Sequence, residues 1–167
     1  MKKLIVLSAI AALTSGLVVA NPATFEVGGF VPVTCNLKTS GPAYHAEFTT
    51  PEMTGDVSPA VRNIPVRVTC NDPEGATVTL TSSKGWLENT DDSTKGVTYS
   101  AILKDTPFSD VSLIANAGGA SISASQSWVG GTALASGVDG SIEVKLTSTT
   151  VLSGNHSDNL EVGVVAN

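Results

Sequence analysis

The sequence predicts an all-β fold, two sheets sharing one core, and three observations predict it. Apolar residues recur at every second position in short runs, which is the period of a strand with one face buried. Clusters of Gly, Pro, Asn and Asp separate those runs. No ten-residue stretch after Ala20 carries a clear 3.6-residue period, and the 147 residues from Asn21 onward instead hold 18 Thr and 17 Ser.

The elements follow in chain order. Lys2 and Lys3, the apolar run Leu4 to Leu13 and the small residues of Val18-Val19-Ala20 read as a signal peptide over residues 1–20, cut after Ala20. Residues 21–34 form a tail in which Ala23, Phe25, Val27, Gly29, Val31 and Val33 share one phase. On this reading cleavage leaves the tail with nothing before it, able to pair with a sheet edge of another molecule.

The domain proper is expected over residues 35–167. Ile64, Val66, Val68 and Cys70 alternate, then Ala76, Val78 and Leu80, then Tyr99, Ala101 and Leu103, with Ile102 on the opposite face. Ile142, Val144 and Leu146 repeat the pattern, and Leu160, Val162, Val164 and Ala166 close the chain with it. At least five half-buried strands are therefore expected. Turns fall at Asn71 to Gly75, Asn89 to Gly96, Gly118-Gly119, Gly130-Gly131, Gly137 to Gly140 and Ser153 to Asn155, with a short helical turn at Pro107 to Asp110.

Composition narrows the function. The formal charge is −6, and removing Lys2 and Lys3 takes it to −8. An acidic chain without a basic cluster repels phosphate backbones, so nucleic acid is not an expected partner. In an exported chain, two cysteines are most simply one disulfide, Cys35 to Cys70. Together with His45 and His156 they match no spacing of zinc ligands, and no metal or cofactor is expected. Asp91, Asp92, Asp105 and Asp110 read as solvated loop charge. There is no nucleophile elbow, zinc-protease motif or phosphate loop, so the chain is not read as an enzyme.

The exported start, the alternating tail before Cys35, Cys70 at the end of a Val-rich strand, and the closing Leu152-Ser153-Gly154-Asn155-His156-Ser157-Asp158-Asn159-Leu160-Glu161-Val162 together resemble pilins of the chaperone–usher pathway, including the archaic spore-coat-U-like branch. The resemblance covers most of the chain after residue 20. It implies an immunoglobulin-like β-sandwich that lacks its last strand and is completed by donor-strand exchange. The donor residues would be Phe25, Val27, Gly29 and Val31, while Leu160, Val162 and Val164 would line one wall of the acceptor groove. The implied partners are a periplasmic chaperone, an outer-membrane usher and neighbouring copies of the same subunit. The implied product is a head-to-tail fimbria at the cell surface, supporting adhesion or biofilm formation, with a host or surface receptor. Where many members carry an aromatic residue next to last, this chain has Ala166.

A second reading is a stand-alone secreted adhesin or carbohydrate-binding module. Trp86 and Trp128 sit near Gly-rich turns and are its candidate surface aromatics, free to stack on a sugar or else filling the core.

Overall fold

The computed structural model describes residues 28–39, 45–150 and 152–167. The signal peptide and the donor residues Phe25 and Val27 lie outside the described residues. Two units are distinguished, Met1–Val31 and Pro32–Asn167. Of the first, only residues 28–31 are described, without regular secondary structure.

The second unit is mostly β, and its sheets are antiparallel. One sheet has five strands: β1 (Cys35–Thr39), β2 (Arg62–Cys70), β9 (Val138–Leu146), β6 (Tyr99–Lys104) and β7 (Val111–Ala115), in that spatial order. A three-stranded sheet has the order β11 (Leu160–Ala166), β3 (Ala76–Ser82) and β8 (Ile122–Trp128). A smaller one joins β10 (His156–Ser157), β4 (Leu87–Asn89) and β5 (Gly96–Val97).

The alternation read from the sequence decides which side chains face inward. Val66, Val68 and Cys70 of β2, Val78 and Leu80 of β3, Ala101 and Leu103 of β6 and Ile142 and Leu146 of β9 are buried in one core. The Thr residues between the apolar positions of β3 turn outward, where Thr77 and Thr81 hydrogen-bond Ser127 and Ser123 of β8. Cys35 and Cys70 face each other across β1 and β2 and are joined by a disulfide.

Two expectations change, and one alternative closes. Residues 105–108 bend without forming a helix, because Thr106 bridges to Phe108 and the Phe108 ring stacks on Trp128 with centroids 5.0 Å apart. Among the described residues two five-residue helices occur elsewhere, α1 (Thr50–Thr54) and α2 (Thr132–Ser136). Of the two places the sequence leaves open for Trp128, surface or core, it takes the core. It is 1% exposed, and its Nε1 donates to the Ser109 carbonyl at 3.0 Å.

The strands define two ends. At one end Cys35 lies opposite Cys70, and Asn167 N–H donates to the Gly75 carbonyl, so β1 begins where β11 finishes. Gly75 closes the turn there at φ +106, with its N–H donating to the Asp72 carbonyl. At the other end lie α1, the start of β2, the start of β6 and the start of β11.

Candidate functional site

Among the described residues β11 pairs with one strand, β3. Its register against β3 pairs Leu160 with Ser82 and Ala166 with Ala76. Ser83 N–H donates to the Asn159 carbonyl, and Asn167 N–H to the Gly75 carbonyl, one step beyond either end of that ladder. In an antiparallel pair the hydrogen-bonded positions alternate, so Glu161, Gly163 and Val165 exchange bonds with β3. The backbone N–H and C=O groups of Leu160, Val162, Val164 and Ala166 therefore point to the opposite edge. Among the described residues no strand pairs with that edge. These four residues also turn their side chains inward, and all four are only half-buried.

Beside this edge opens a groove of about 1000 Å³. Leu160 and Val162 form part of one wall, and Ile142, Val144 and Tyr99 of the five-stranded sheet contribute from across it. Phe48, Met53 of α1 and Ile64 add apolar surface. Val164 does not line the opening; it lies further along β11, half-buried against the core. The groove therefore opens at the Leu160 end, away from the Cys35–Cys70 end.

The side that carries Phe48 and α1 is fixed by a carboxylate. Glu52 is 5% exposed and accepts from the Thr49 N–H at 2.7 Å, the Thr49 hydroxyl at 2.9 Å, the Ala60 N–H at 2.6 Å and Arg62 Nη2 at 2.9 Å. The Thr49 and Ala60 backbone donors, ahead of the Arg62 charge, lower its pKa to about 2. Arg62 in turn lies over the Phe48 ring, 5.0 Å from its centroid. The local signal was present in Thr49-Thr50-Pro51-Glu52, a capping pattern with proline in the first turn.

Two polar side chains hold the segment leading into β11. Asn89, 2% exposed, donates to the Ser153 carbonyl at 2.9 Å and accepts from the Asp91 N–H at 2.8 Å. Its amide also meets His156 Nε2 at 3.2 Å, which makes that nitrogen the acceptor and assigns the ring proton to Nδ1, facing the Gly154 carbonyl at 3.2 Å. Asp158 accepts from the Ser82 hydroxyl, from the Tyr99 phenol at 2.8 Å, from the Lys84 N–H at 2.9 Å and from the Asn159 N–H at 2.7 Å. Burial, with the Asp158 carboxylate beside it, pushes the Tyr99 phenol well above its ordinary value. In the sequence Tyr99 belongs to an apolar row and Asp158 to the closing motif, and no pattern pairs the two. A phenol on a buried face needs a hydrogen-bond partner, and that requirement was the available signal.

The tail is anchored at its root. Asn71 Nδ2 donates to the Pro32 carbonyl at 2.9 Å, Thr34 N–H donates to Asn71 Oδ1 at 2.6 Å, and Asn71 N–H donates to the Thr34 carbonyl at 3.2 Å. Of the donor row, Gly29 and Val31 are described; Val31 is exposed, as is Phe30 of the other phase, and a Cβ added at Gly29 would meet nothing within 4 Å.

Trp86 is half-buried, and neither it nor Trp128 lines the groove. A Cβ at Gly118 would fall 1.8 Å from the Trp86 ring and one at Gly96 would fall 2.6 Å from it, so the ring is laid against two glycine backbones. Its buried Nε1 has no hydrogen-bond partner among the described residues. Among the described residues no cluster of His, Cys, Asp and Glu is arranged to hold a metal ion, and no helix is long and apolar enough to cross a membrane. No protein-family model and no curated protein matches the chain.

Proposed function

We propose that this chain is a pilin-like structural subunit of a bacterial surface fibre, an incomplete immunoglobulin-like sandwich finished by the tail of a neighbouring copy. The observation that carries the reading is the edge of β11. Among the described residues, Leu160, Val162, Val164 and Ala166 have no strand partner for their outward backbone groups and are half-buried, and Leu160 and Val162 line an open groove. An inserted strand would gain ladder hydrogen bonds and apolar burial together. Phe25, Val27, Gly29 and Val31 make a donor row of four, equal in number to the β11 positions. Burying Phe and two Val is worth roughly 1.5 to 3 kcal/mol each.

The position of the tail root sets the assembly. Pro32–Thr34 lie at the end where β11 finishes. A tail inserted antiparallel to β11 has its own domain beyond the Leu160 end of the recipient, so unlike ends meet and the contact repeats without closing. A tail inserted parallel brings like ends together and favours a closed pair. Only the antiparallel mode propagates a filament.

A periplasmic chaperone that covers the groove before assembly and an outer-membrane usher that delivers subunits belong to the same proposal, as does display at the cell surface in adhesion or biofilm formation. The carbohydrate-module alternative loses Trp128, which is in the core, and keeps Trp86, half-buried against Gly96 and Gly118. The test is deletion of residues 24–31 from the full chain. Exported parent protein is expected to give SDS-resistant ladders on a gel, and the deletion is expected to give monomer alone; ladders from the deletion variant refute donor-strand assembly.

A further inference from the structure

A groove with apolar side chains on both walls is under pressure to close. Burial of apolar surface is favourable and non-directional, so Leu160 and Val162 gain by settling towards Ile142 and Val144 of the facing sheet. Something at the groove must resist that collapse if the opening is to receive a strand.

The resisting element is polar. Tyr99 belongs to β6 in the five-stranded sheet and lines the groove, while Ser82 ends β3 in the three-stranded sheet. They are 2% and 0% exposed, and both donate to the same oxygen of Asp158, which also lines the groove. The other Asp158 oxygen accepts the Lys84 and Asn159 N–H groups. The Ser82 hydroxyl is completed by the Gly85 N–H, which donates to it at 2.8 Å. One carboxylate thus joins the floor of the groove, the end of the neighbouring strand and the first turn before β11. Phenylalanine at 99 would avoid the cost of burying a phenol, so the hydrogen bonds fix a spacing that apolar packing alone does not.

We infer that Tyr99, Asp158 and Ser82 form a strut that holds the two sheets apart at the Leu160 end, so that an incoming strand meets a preformed opening. The inference rests on the donor-strand reading above. Tyr99 and Asp158 act as positioning residues: they set the width of the groove and need make no contact with the strand. Preorganisation of this kind acts on capture, because a collapsed groove must reopen before a strand can enter.

The experiment uses the full chain, exported and recovered as monomer, with a dye-labelled peptide of residues 21–34 as the strand. Tyr99→Phe removes one hydroxyl, and Asp158→Asn removes the charge while keeping the shape. Each is expected to slow peptide capture about tenfold, the scale of one lost charge-assisted hydrogen bond. Release of captured peptide should keep the parental rate. Binding of an apolar reporter dye to the empty groove should fall, whereas general loosening of the fold would raise it. Capture by Tyr99→Phe at the parental rate overturns the strut and leaves the donor-strand reading standing. Parent chain that captures no peptide overturns both. If Asp158→Asn does not fold, Tyr99→Phe alone decides.

Discussion

β3 and β11 lie side by side in one sheet with matched alternation, and they differ in what covers them. Leu80 faces Val162 across the ladder, Val78 faces Val164 and Ala76 faces Ala166. The three β3 side chains are 0% exposed, while their three β11 partners are half-buried. Sequence pattern, face and register are therefore alike, and only position in the sheet separates the two strands: β3 is central and β11 is at an edge. Alternation specifies which way a side chain points, and the neighbouring strand and facing sheet decide how deeply it is buried.

The largest expected effect sharpens this contrast. Leu80→Ala should cost about 2 to 5 kcal/mol, the range for a large-to-small change in a closed core. Val162→Ala, one strand over, should cost less than about 1 kcal/mol in the monomer, because solvent already reaches its side chain. Urea midpoints of the two variants measure the difference. Equal losses would mean that β11 is covered as fully as β3, and the groove would lose its meaning.

A second comparison sets β11 against the other edge strand in this part of the molecule. β1 is fastened to β2 by Cys35–Cys70, which closes a separation of 35 residues. Such a loop is worth about 3.8 kcal/mol in the chain-entropy treatment, and measured losses on removing a bridge are often nearer 2 kcal/mol. Replacing both cysteines by serine should lower the urea midpoint accordingly. A midpoint unchanged from the parent would show that β1 is held by its ladder alone.

How much of this was legible follows from the same contrast. β2, β3, β6, β9 and β11 are legible because each carries at least three apolar residues at every second position, a row that one apolar residue on the other face, Ile102 of β6 or Val165 of β11, does not erase. β8 is hard to read because the row it shares with Trp128, Ile122, Ala124 and the exposed Gln126, is weakly apolar among serines. β7 alternates as Val111, Leu113 and Ala115, but Ile114 on the outer face hides the period. β4, β5 and β10 are two or three residues long, and tertiary hydrogen bonds through Asn89 fix where they lie. Of the residues assigned to the β11 wall, Leu160 and Val162 line the groove and Val164 does not, and the extent of the groove has no signal in the sequence. It depends on the cross-sheet distance set by Tyr99 and Asp158 and on the placing of Phe48 by Arg62, and neither leaves a trace in periodicity.

The wall opposite β11 gives a pH test. The Glu52 pKa in the folded chain is about 2, below its ordinary value of 4.5. A carboxylate with a lowered folded pKa adds stability that is fully present above the ordinary value and is lost as pH falls through the folded one. Stability should therefore decline between about pH 4.5 and pH 2. Glu52→Gln should flatten that part of the acid limb when urea midpoints are followed against pH. A variant whose limb matches the parent's would remove Glu52 as the clamp on α1 and Phe48.

The smallest effect concerns the outer face of β11, where β3 again supplies the reference. Gly163 pairs with Thr79, and a Cβ added there would meet nothing within 4 Å. Glycine inside a strand costs about 0.5 to 1 kcal/mol relative to alanine, because the unfolded chain has more freedom to lose. Gly163→Ala should accordingly raise the urea midpoint with no change in slope, and strand capture should proceed as in the parent, since the added methyl points away from the groove. If the substitution instead lowers stability or slows capture, the outer face of β11 is occupied in the working protein. The asymmetry between β11 and β3 would then extend to both faces of the sheet, and one open edge would not account for it.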